Sequence, residues 1–361
     1  MPPSGKDAPP GDVMDKWLLA NLVCPREHGS LSVLGSKLIC PAGHAYPVIK
    51  GVPVMILDDV EQTVTAGSAS SELAQLACQE SEQKYQEDYF LDTLWISAEN
   101  LAGLKRAIET AQFGEVDPVV RYLVSHTCGK LYRPLVGRLS TYPIPELRLP
   151  EGRGELLLDL GCSWGRWSVA ASRKGYQPIG VDPSLGAVLA ARRVCNQIGA
   201  QGIFVAADAR YLPFRSGLFD VVFSYSVLQH FSKDDVKIAL REAARVLKEE
   251  GTSLIQMANA LGLRSLQLQM RRRFREGRGF EVRYWTLPEL RRTFSQLLGP
   301  SSVSAEAYGG LGIQRSDIRM LTPARRMLVH CSELLRKLST HLPWMRYFAD
   351  SLYVRSIRRR A

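Results

Sequence analysis

Residues 156–167 read Leu-Leu-Leu-Asp-Leu-Gly-Cys-Ser-Trp-Gly-Arg-Trp, an apolar run that ends in an acid and a turn bearing Gly161 and Gly165. The next two apolar runs end in acids as well: Asp182 in Ile-Gly-Val-Asp-Pro-Ser and Asp208 in Phe-Val-Ala-Ala-Asp-Ala-Arg. A parallel sheet sets the carboxyl ends of its strands along one crevice, so Asp159, Asp182 and Asp208 are expected to line one cleft. Three carboxylates there suit a nucleoside-like ligand that offers ribose hydroxyls and an exocyclic amine as donors. Asp182 follows Asp159 by 23 residues, the spacing at which an acid on the second strand meets ribose hydroxyls. Gly161 and Gly165 are expected to let the backbone approach that ligand, because a side chain at either would take ligand space.

Outward from this stretch, residues 154–310 alternate apolar runs with helical patterns, as a doubly wound α/β sheet requires. Strands are expected at 155–159, 177–181, 202–206, 219–224 and 252–257, with helices at 167–174, 185–198 and 236–248. Ser232 or an aspartate after it caps the last helix, and Gly251 is its expected stop. Four segments separate by texture. Residues 13–58 hold two Cys/His pairs and short β-like runs, and 59–150 read as a helical linker or lid. Residues 151–312 form the core, and 313–361 read as a basic helical extension.

A chain of 361 residues has room for one large domain or for two to three unequal ones. No run of about 18 apolar residues appears, which argues against a spanning helix. The N-terminal Met-Pro-Pro-Ser-Gly-Lys-Asp-Ala-Pro-Pro-Gly-Asp lacks the apolar centre of a secretory signal and reads as disordered. Seven scattered cysteines do not make a secreted disulfide framework, so a cytoplasmic protein is expected. Cys162 reads as a small packing residue in the turn, and Cys78, Cys128, Cys195 and Cys331 as buried thiols. Of the net charge of +10, residues from 262 onward carry 20 Lys/Arg against 7 Asp/Glu. This asymmetry points either to an anionic partner or to solvated helix faces with a basic tail.

Downstream of Asp208 the order of motifs is specific: Asp-Ala-Arg-Tyr-Leu-Pro-Phe at 208–214, Phe-Asp-Val-Val at 219–222, Val-Leu-Gln-His-Phe at 227–231 and Glu-Ala-Ala-Arg-Val-Leu-Lys-Glu-Glu-Gly at 242–251. This series resembles the class I S-adenosylmethionine-dependent methyltransferases, in particular the branch with the ubiquinone- and menaquinone-type methylases. The resemblance spans about 155–260 and implies a Rossmann-like fold with S-adenosylmethionine as cofactor. By that likeness Gly161, Cys162, Ser163 and Gly165 border the methionine moiety, and Asp159 acts near its amino group. Asp182 and Pro183 hold the ribose, Asp208 and Ala209 face the adenine, and Ser224 ends the fourth strand beside them. A frequent middle glycine of the first turn is Ser163 here, followed by the bulky Trp164.

Methyl transfer from a sulfonium is an in-line displacement, so alignment of donor and acceptor does much of the work. A base is needed only for a protonated acceptor of high pKa. Tyr225 and His230 follow the fourth strand and are the catalytic candidates. His230 either takes a proton or packs against the next helix, and Tyr225 either lines the cleft or fills it. No Asn-Pro-Pro-Tyr or Asp-Pro-Pro-Tyr follows that strand, which counts against the familiar exocyclic-amine and amide methylators.

Cys24-Pro-Arg-Glu-His28 and Cys40-Pro-Ala-Gly-His44 are two C-x₃-H pairs separated by eleven residues. Brought together by a hairpin, Cys24, His28, Cys40 and His44 supply four tetrahedral positions for a structural zinc, the alternative being a metal-free ribbon packed on the enzyme. With the following Ala-Tyr-Pro-Val-Ile-Lys-Gly-Val-Pro-Val-Met-Ile, this zinc-ribbon-like β module resembles the small proteins that activate tRNA and translation-factor methyltransferases. It also resembles the ribbon preceding some rRNA guanine methyltransferases. In those the first knuckle is usually C-x₂-C; Glu27 stands there in this chain.

Three functions are open at this level. The first is methylation of a small-molecule or lipid- or saccharide-linked acceptor, with Tyr225, Phe231 and Trp285 as cleft candidates. The C-terminal Leu-Pro-Trp-Met-Arg-Tyr-Phe-Ala-Asp-Ser-Leu-Tyr-Val-Arg-Ser-Ile-Arg-Arg-Arg has groups suited to an anionic membrane surface, hence peripheral membrane association, or it is a docked helix with a frayed basic end. The second is RNA methylation using the ribbon and the basic C-terminal third. The third is a non-catalytic S-adenosylmethionine-binding scaffold.

Overall fold

The apolar run at 156–160 becomes an inner strand of a seven-stranded sheet. The computed structural model describes residues 14–63, 65–77, 89–94, 96–112, 114–310, 312 and 314–360; the 1–12 stretch and Cys78 fall outside them. The chain opens with α1 (Lys16–Asn21) and the short strands β1 (Ser32–Leu34), β2 (Lys37–Ile39), β3 (Ala45–Ile49) and β4 (Val52–Pro53). Helices α2 (Thr65–Ala77), α3 (Ala98–Glu109) and α4 (Pro118–Thr127) follow. Then come β5 (Leu156–Leu160), α5 (Arg166–Arg173), β6 (Gln177–Asp182), α6 (Leu185–Ile198), β7 (Ile203–Ala206) and β8 (Phe219–Ser224). The last part holds α7 (Lys233–Val246), β9 (Leu247–Ala258), α8 (Leu263–Arg271), α9 (Leu287–Leu297), β10 (Ser301–Ala307), α10 (Pro323–His341) and β11 (Ser351–Ile357).

The large sheet has the order β10-β11-β9-β8-β5-β6-β7. Strands β5 to β9 run parallel to one another, whereas β11 is antiparallel to both β9 and β10. This is a Rossmann-like α/β sheet with a small antiparallel sheet, β1-β2-β3-β4, before it. Leu157, Leu158 and Leu160 are fully buried, as expected of a central parallel strand covered on both faces. Local chemistry agrees with the pattern: Ser184 and Ser232 cap α6 and α7 through their hydroxyls, and Gly199 in the left-handed region ends α6.

Three expectations are corrected. The helix expected over 236–248 ends at Val246, and Leu247 already pairs with Phe219 as the first residue of β9. Gly251 is therefore a strand residue, placed where a Cβ would lie 2.8 Å from the carbonyl oxygen of Lys248. The 313–361 segment is not helical throughout. Its last strand, β11, inserts between β9 and β10 with the consecutive Leu352, Tyr353 and Val354 all buried, because a continuous apolar run suits a strand covered on both faces. The sheet thus runs past residue 312 to Ile357, and that part of the C-terminus is committed to the core rather than to any surface. Cys331, expected to be buried, is exposed on α10; Cys128, Cys162 and Cys195 are buried.

The N-terminal unit is packed onto the sheet. Val54 bridges Ala206 in parallel and the Met55 amide donates to the Ala206 carbonyl at 2.7 Å, which covers the edge of β7. Leu22 bridges Phe214 in the antiparallel sense, and Leu18, Leu22, Leu38 and Met55 share the core that contains Leu158 and Val222. Leu352→Ala in β11 is expected to destabilise the protein by about 2–5 kcal/mol in urea unfolding; a change within about 0.5 kcal/mol, as for an ordinary surface position, would deny β11 its central place.

Candidate active site

The turn after β5 is fastened to the end of β6. The Gly161 and Cys162 amides both donate to the Val181 carbonyl, at 2.7 and 3.0 Å. One Asp182 oxygen accepts the Ser163 amide and the other the Ser184 amide, each at 3.0 Å. Gly161 and Ser163 lie in the left-handed region, at φ 76° and 46°. Serine there is costly but tolerable because it is short and its amide is held. Gly161, Cys162, Ser163, Asp182, Pro183, Asp208 and Ala209 all line one cavity at the carboxyl edge of the sheet.

The role expected of the glycines changes. A Cβ on Gly161 would sit 2.2 Å from Val227 Cγ2, and one on Gly165 would sit 3.0 Å from Ala191 Cβ. At both glycines a side chain would meet neighbouring chain, and Gly165 serves as the N-terminal cap residue of α5. Gly165, Asp159 and Ser224 do not line the cavity. Asp159 is buried behind the turn, accepting the Ser168 hydroxyl at 2.7 Å, and Ser224 donates to the Leu160 carbonyl at 3.0 Å. Asp208 reaches the cavity with its carboxylate already gripped by Arg210, whose Nη2 lies 2.7 Å from Oδ2. Burial raises Asp159 to about 7 and Asp182 to about 6, Asp159 being raised further by the charge of Asp182.

The far wall carries Tyr225, Val227, His230, Phe231 and Phe280. His230 stacks flat on the Phe280 ring at 3.8 Å, and its Nδ1 lies 2.8 Å from the Phe280 carbonyl oxygen. A carbonyl can only accept, so Nδ1 carries the proton and Nε2 keeps its lone pair. Burial lowers His230 to about 4, which leaves it neutral at ordinary pH. Tyr225 packs on Trp167 at 4.6 Å, and its hydroxyl accepts from Gln314 Nε2 at 2.9 Å. Burial pushes this phenol far up. Trp285, expected in the cleft, is instead a core residue.

Other wall residues escaped the sequence pattern. Thr63 and Ala66 come from before and within α2, and Leu123, His126 and Thr127 from α4. Arg166 is buried beside Tyr132 and bonds Asp317 at 3.1 Å. Only a fold can join positions so far apart, although a charged residue directly after the Gly165 turn was a local signal.

In the ribbon, Cys24, Cys40 and His44 converge. His44 Nδ1 lies 3.7 Å from Cys24 Sγ and 3.4 Å from Cys40 Sγ. His28 is not part of the cluster: it closes the turn through its amide to the Cys24 carbonyl in the left-handed region, and its Nε2 lies 3.9 Å from Glu242 on α7. Glu27 stands nearer, with Oε1 3.9 Å from His44 Nδ1.

Comparison with known proteins agrees with this geometry. Residues 157–251 match a family described as a methyltransferase domain. The chain carries a class I S-adenosylmethionine-dependent methyltransferase domain. A ubiquinone biosynthesis O-methyltransferase of Azorhizobium caulinodans is 26% identical over 166 residues, which is 46% of this chain and 61% of that protein. A tRNA (carboxymethyluridine(34)-5-O)-methyltransferase, alkbh8 of Xenopus tropicalis, is 31% identical over 35% of this chain and 20% of that one. The chain therefore spans less than two thirds of these methyltransferase relatives. A further segment of 51 residues is 35% identical to a UPF0434 protein of Vesicomyosocius okutanii; it covers 14% of this chain and 86% of that one, and belongs to that family. Among solved structures, the YcgJ protein of Bacillus subtilis aligns over 58% of this chain and 94% of its own, at 23% identity and a TM-score of 0.39.

The buried acids of the methyltransferase domain have a consequence for stability. The folded protein holds the Asp159 proton more tightly than the unfolded chain does, so stability falls as pH rises from 3.8 to about 7. Asp159→Asn, with an amide oxygen still able to accept from Ser168, is expected to flatten that fall in urea titrations. A slope unchanged from the parent would place its source elsewhere.

Proposed function

We propose that the protein transfers the methyl group of S-adenosylmethionine to a small-molecule or lipid- or saccharide-linked acceptor. The observation that carries this reading is one cavity that joins the Asp182-held turn to a wall of Tyr225, His230, Phe231 and Phe280. Its donor set fits the cofactor: Asp182 and Asp208 offer acceptors for ribose and adenine, and Gly161, Cys162, Ser163, Pro183 and Ala209 line the rest. Asp159, Gly165 and Ser224 hold the turn from behind. When bound, S-adenosylmethionine supplies an already activated methyl group for in-line transfer. The chain's own task is to align the acceptor and exclude water. His230 Nε2 orients an acceptor hydroxyl by accepting its hydrogen bond, being too weak a base to keep the proton. Tyr225 contributes its ring, its hydroxyl being held by Gln314.

A structural zinc fits the ribbon. Cys24, Cys40 and His44 supply two sulfurs and a nitrogen at separations suited to one tetrahedral ion, while His28 faces Glu242 and Glu27 meets only His44, at 3.9 Å. The ion would cross-link two turns that carry little core of their own. Protein purified without chelator is expected to contain one zinc per chain, lost in Cys40→Ser; protein free of metal would leave a metal-free ribbon.

RNA methylation is the second reading, favoured by the 31% identity to a tRNA methyltransferase and by the basic C-terminal third. The assay that separates them measures S-adenosylhomocysteine release with total RNA and with an RNA-free lipid and metabolite extract. Turnover is expected with the extract. Turnover with RNA alone, abolished by nuclease, would replace the first reading by the second, and binding without turnover would leave a scaffold. Asp182→Ala is expected to weaken S-adenosylhomocysteine binding by about 1–3 kcal/mol in calorimetry; unchanged affinity would remove Asp182 from the site.

A further inference from the structure

Helix α8 is amphipathic in the inverted sense. Its small polar side is turned inward: Ser265 is buried, its amide donating to Asp350 Oδ1 at 2.7 Å, and Gly262 packs against the Asp350 backbone. Its apolar side faces solvent. Leu263, Leu266 and Met270 recur at i, i+3 and i+7, with exposures of 63%, 37% and 53%, and Phe274 in the next turn is 65% exposed. Arg273 and Phe274 are both in the left-handed region, which keeps a bulky aromatic pointing away from the core at a conformational cost. Beside them the short 3₁₀ segment Pro343–Phe348 exposes Trp344 at 60% and Phe348 at 45%.

These two pieces share one edge of the molecule. Strand β9 runs parallel to β8 and ends at Ala258, and antiparallel β11 begins opposite it at Ser351, so α8 and 343–348 both emerge at the carboxyl edge. Asn259 ties them together, its side-chain amide donating to the carbonyls of Tyr347 and Ala349 at 2.8 and 2.7 Å. The active-site cavity opens at the same edge. From Phe274 the chain runs to Phe280, which stacks on His230, and Arg283 bonds the His230 carbonyl.

We propose that α8, the turn after it and the 343–348 segment form one docking surface for an anionic lipid bilayer, set at the mouth of the methyl-transfer cleft. Charge selects this occupant. Residues 261–280 contain six arginines and one acid, and Arg271 and Arg273 are exposed among the apolar groups. A second copy would set like charge against like charge. RNA would satisfy the arginines but leave Leu263, Leu266 and Met270 in water. A bilayer takes both: headgroup phosphates meet the arginines, and the leucines, methionine and aromatics enter the acyl boundary. No helix among the described residues is long and apolar enough to cross a membrane, so the contact is peripheral. Its purpose, delivery of a lipid-borne acceptor to the cleft, rests on the methyl-transfer reading; the lipid contact itself does not.

The test is co-sedimentation of the full chain with vesicles of phosphatidylcholine alone and of equimolar phosphatidylcholine and phosphatidylglycerol. Binding is expected to the anionic vesicles and to weaken as salt is raised. Combined Phe274→Ser and Trp344→Ser is expected to reduce partitioning by about tenfold or more, and Arg271→Glu with Arg273→Glu to do the same, with S-adenosylhomocysteine binding unchanged in both. Failure of the parent to sediment with the anionic vesicles, or parent-like sedimentation of both variants, would overturn the proposal. So would loss, in these variants, of an RNA complex or of a dimer in place of vesicle binding. A chain that binds vesicles but not S-adenosylhomocysteine keeps the surface and loses the methyl-transfer reading; the reverse result keeps the cleft and loses the surface.

Discussion

One backbone carbonyl and one carboxylate hold the cleft together. Val181 O takes two amides from the turn after β5, and Asp182 takes a third from Ser163 and a fourth from the start of α6. Four donors that would otherwise need water are thereby fixed at the ends of two adjacent parallel strands. Burial raises the Asp182 carboxyl, and the Ser184 and Ser163 amides it accepts offset part of that rise. The positions of Gly161, Ser163 and the acids relative to one another follow from this single junction.

A second level of support comes from segments that cover exposed strand edges. Residues 54 and 55 of the ribbon pair with Ala206, and β11 fills the space between β9 and β10. Both are remote in sequence from the strands they join. The ribbon is thereby part of the same core, and the C-terminal residues help shape the edge at which the cleft opens.

The far wall of the cleft depends on the late chain as well. Gln314 and Glu306 meet the Tyr225 hydroxyl, Arg148 pairs with Glu306 at 2.7 Å, and Asp317 takes Arg166 and Tyr132. These buried ion pairs gain little net stability but hold aromatic and charged walls in one arrangement, since removal of one partner strands the other in low dielectric. On the outer rim the balance is opposite: α8 exposes its leucines because its small side already satisfies Asp350.

How much of this was legible in the chain follows from the range of each interaction. The β5–α5–β6–α6–β7–β8 series was readable because apolar runs, hydroxyl caps and turn glycines are local signals, and Asp182, Ser163 and Asp208 could be placed in one cleft because parallel strands share an edge. Periodicity alone did not reveal that α7 stops at Val246, since Leu247 to Glu250 carry no breaker until β8 claims them. Nor did it show that Gly161 yields to Val227, that His28 turns toward α7 while Glu27 stands beside His44, or that Ser351–Ile357 enters the sheet. The sequence by itself determined the turn after β5 and the acids that close β6 and follow β7 in the same cavity, because each is set by the strand it follows. Only the tertiary structure decided the far wall of Tyr225, His230 and Phe280, the Cys24–Cys40–His44 cluster and the outward face of α8, because each is made by residues that meet across the fold.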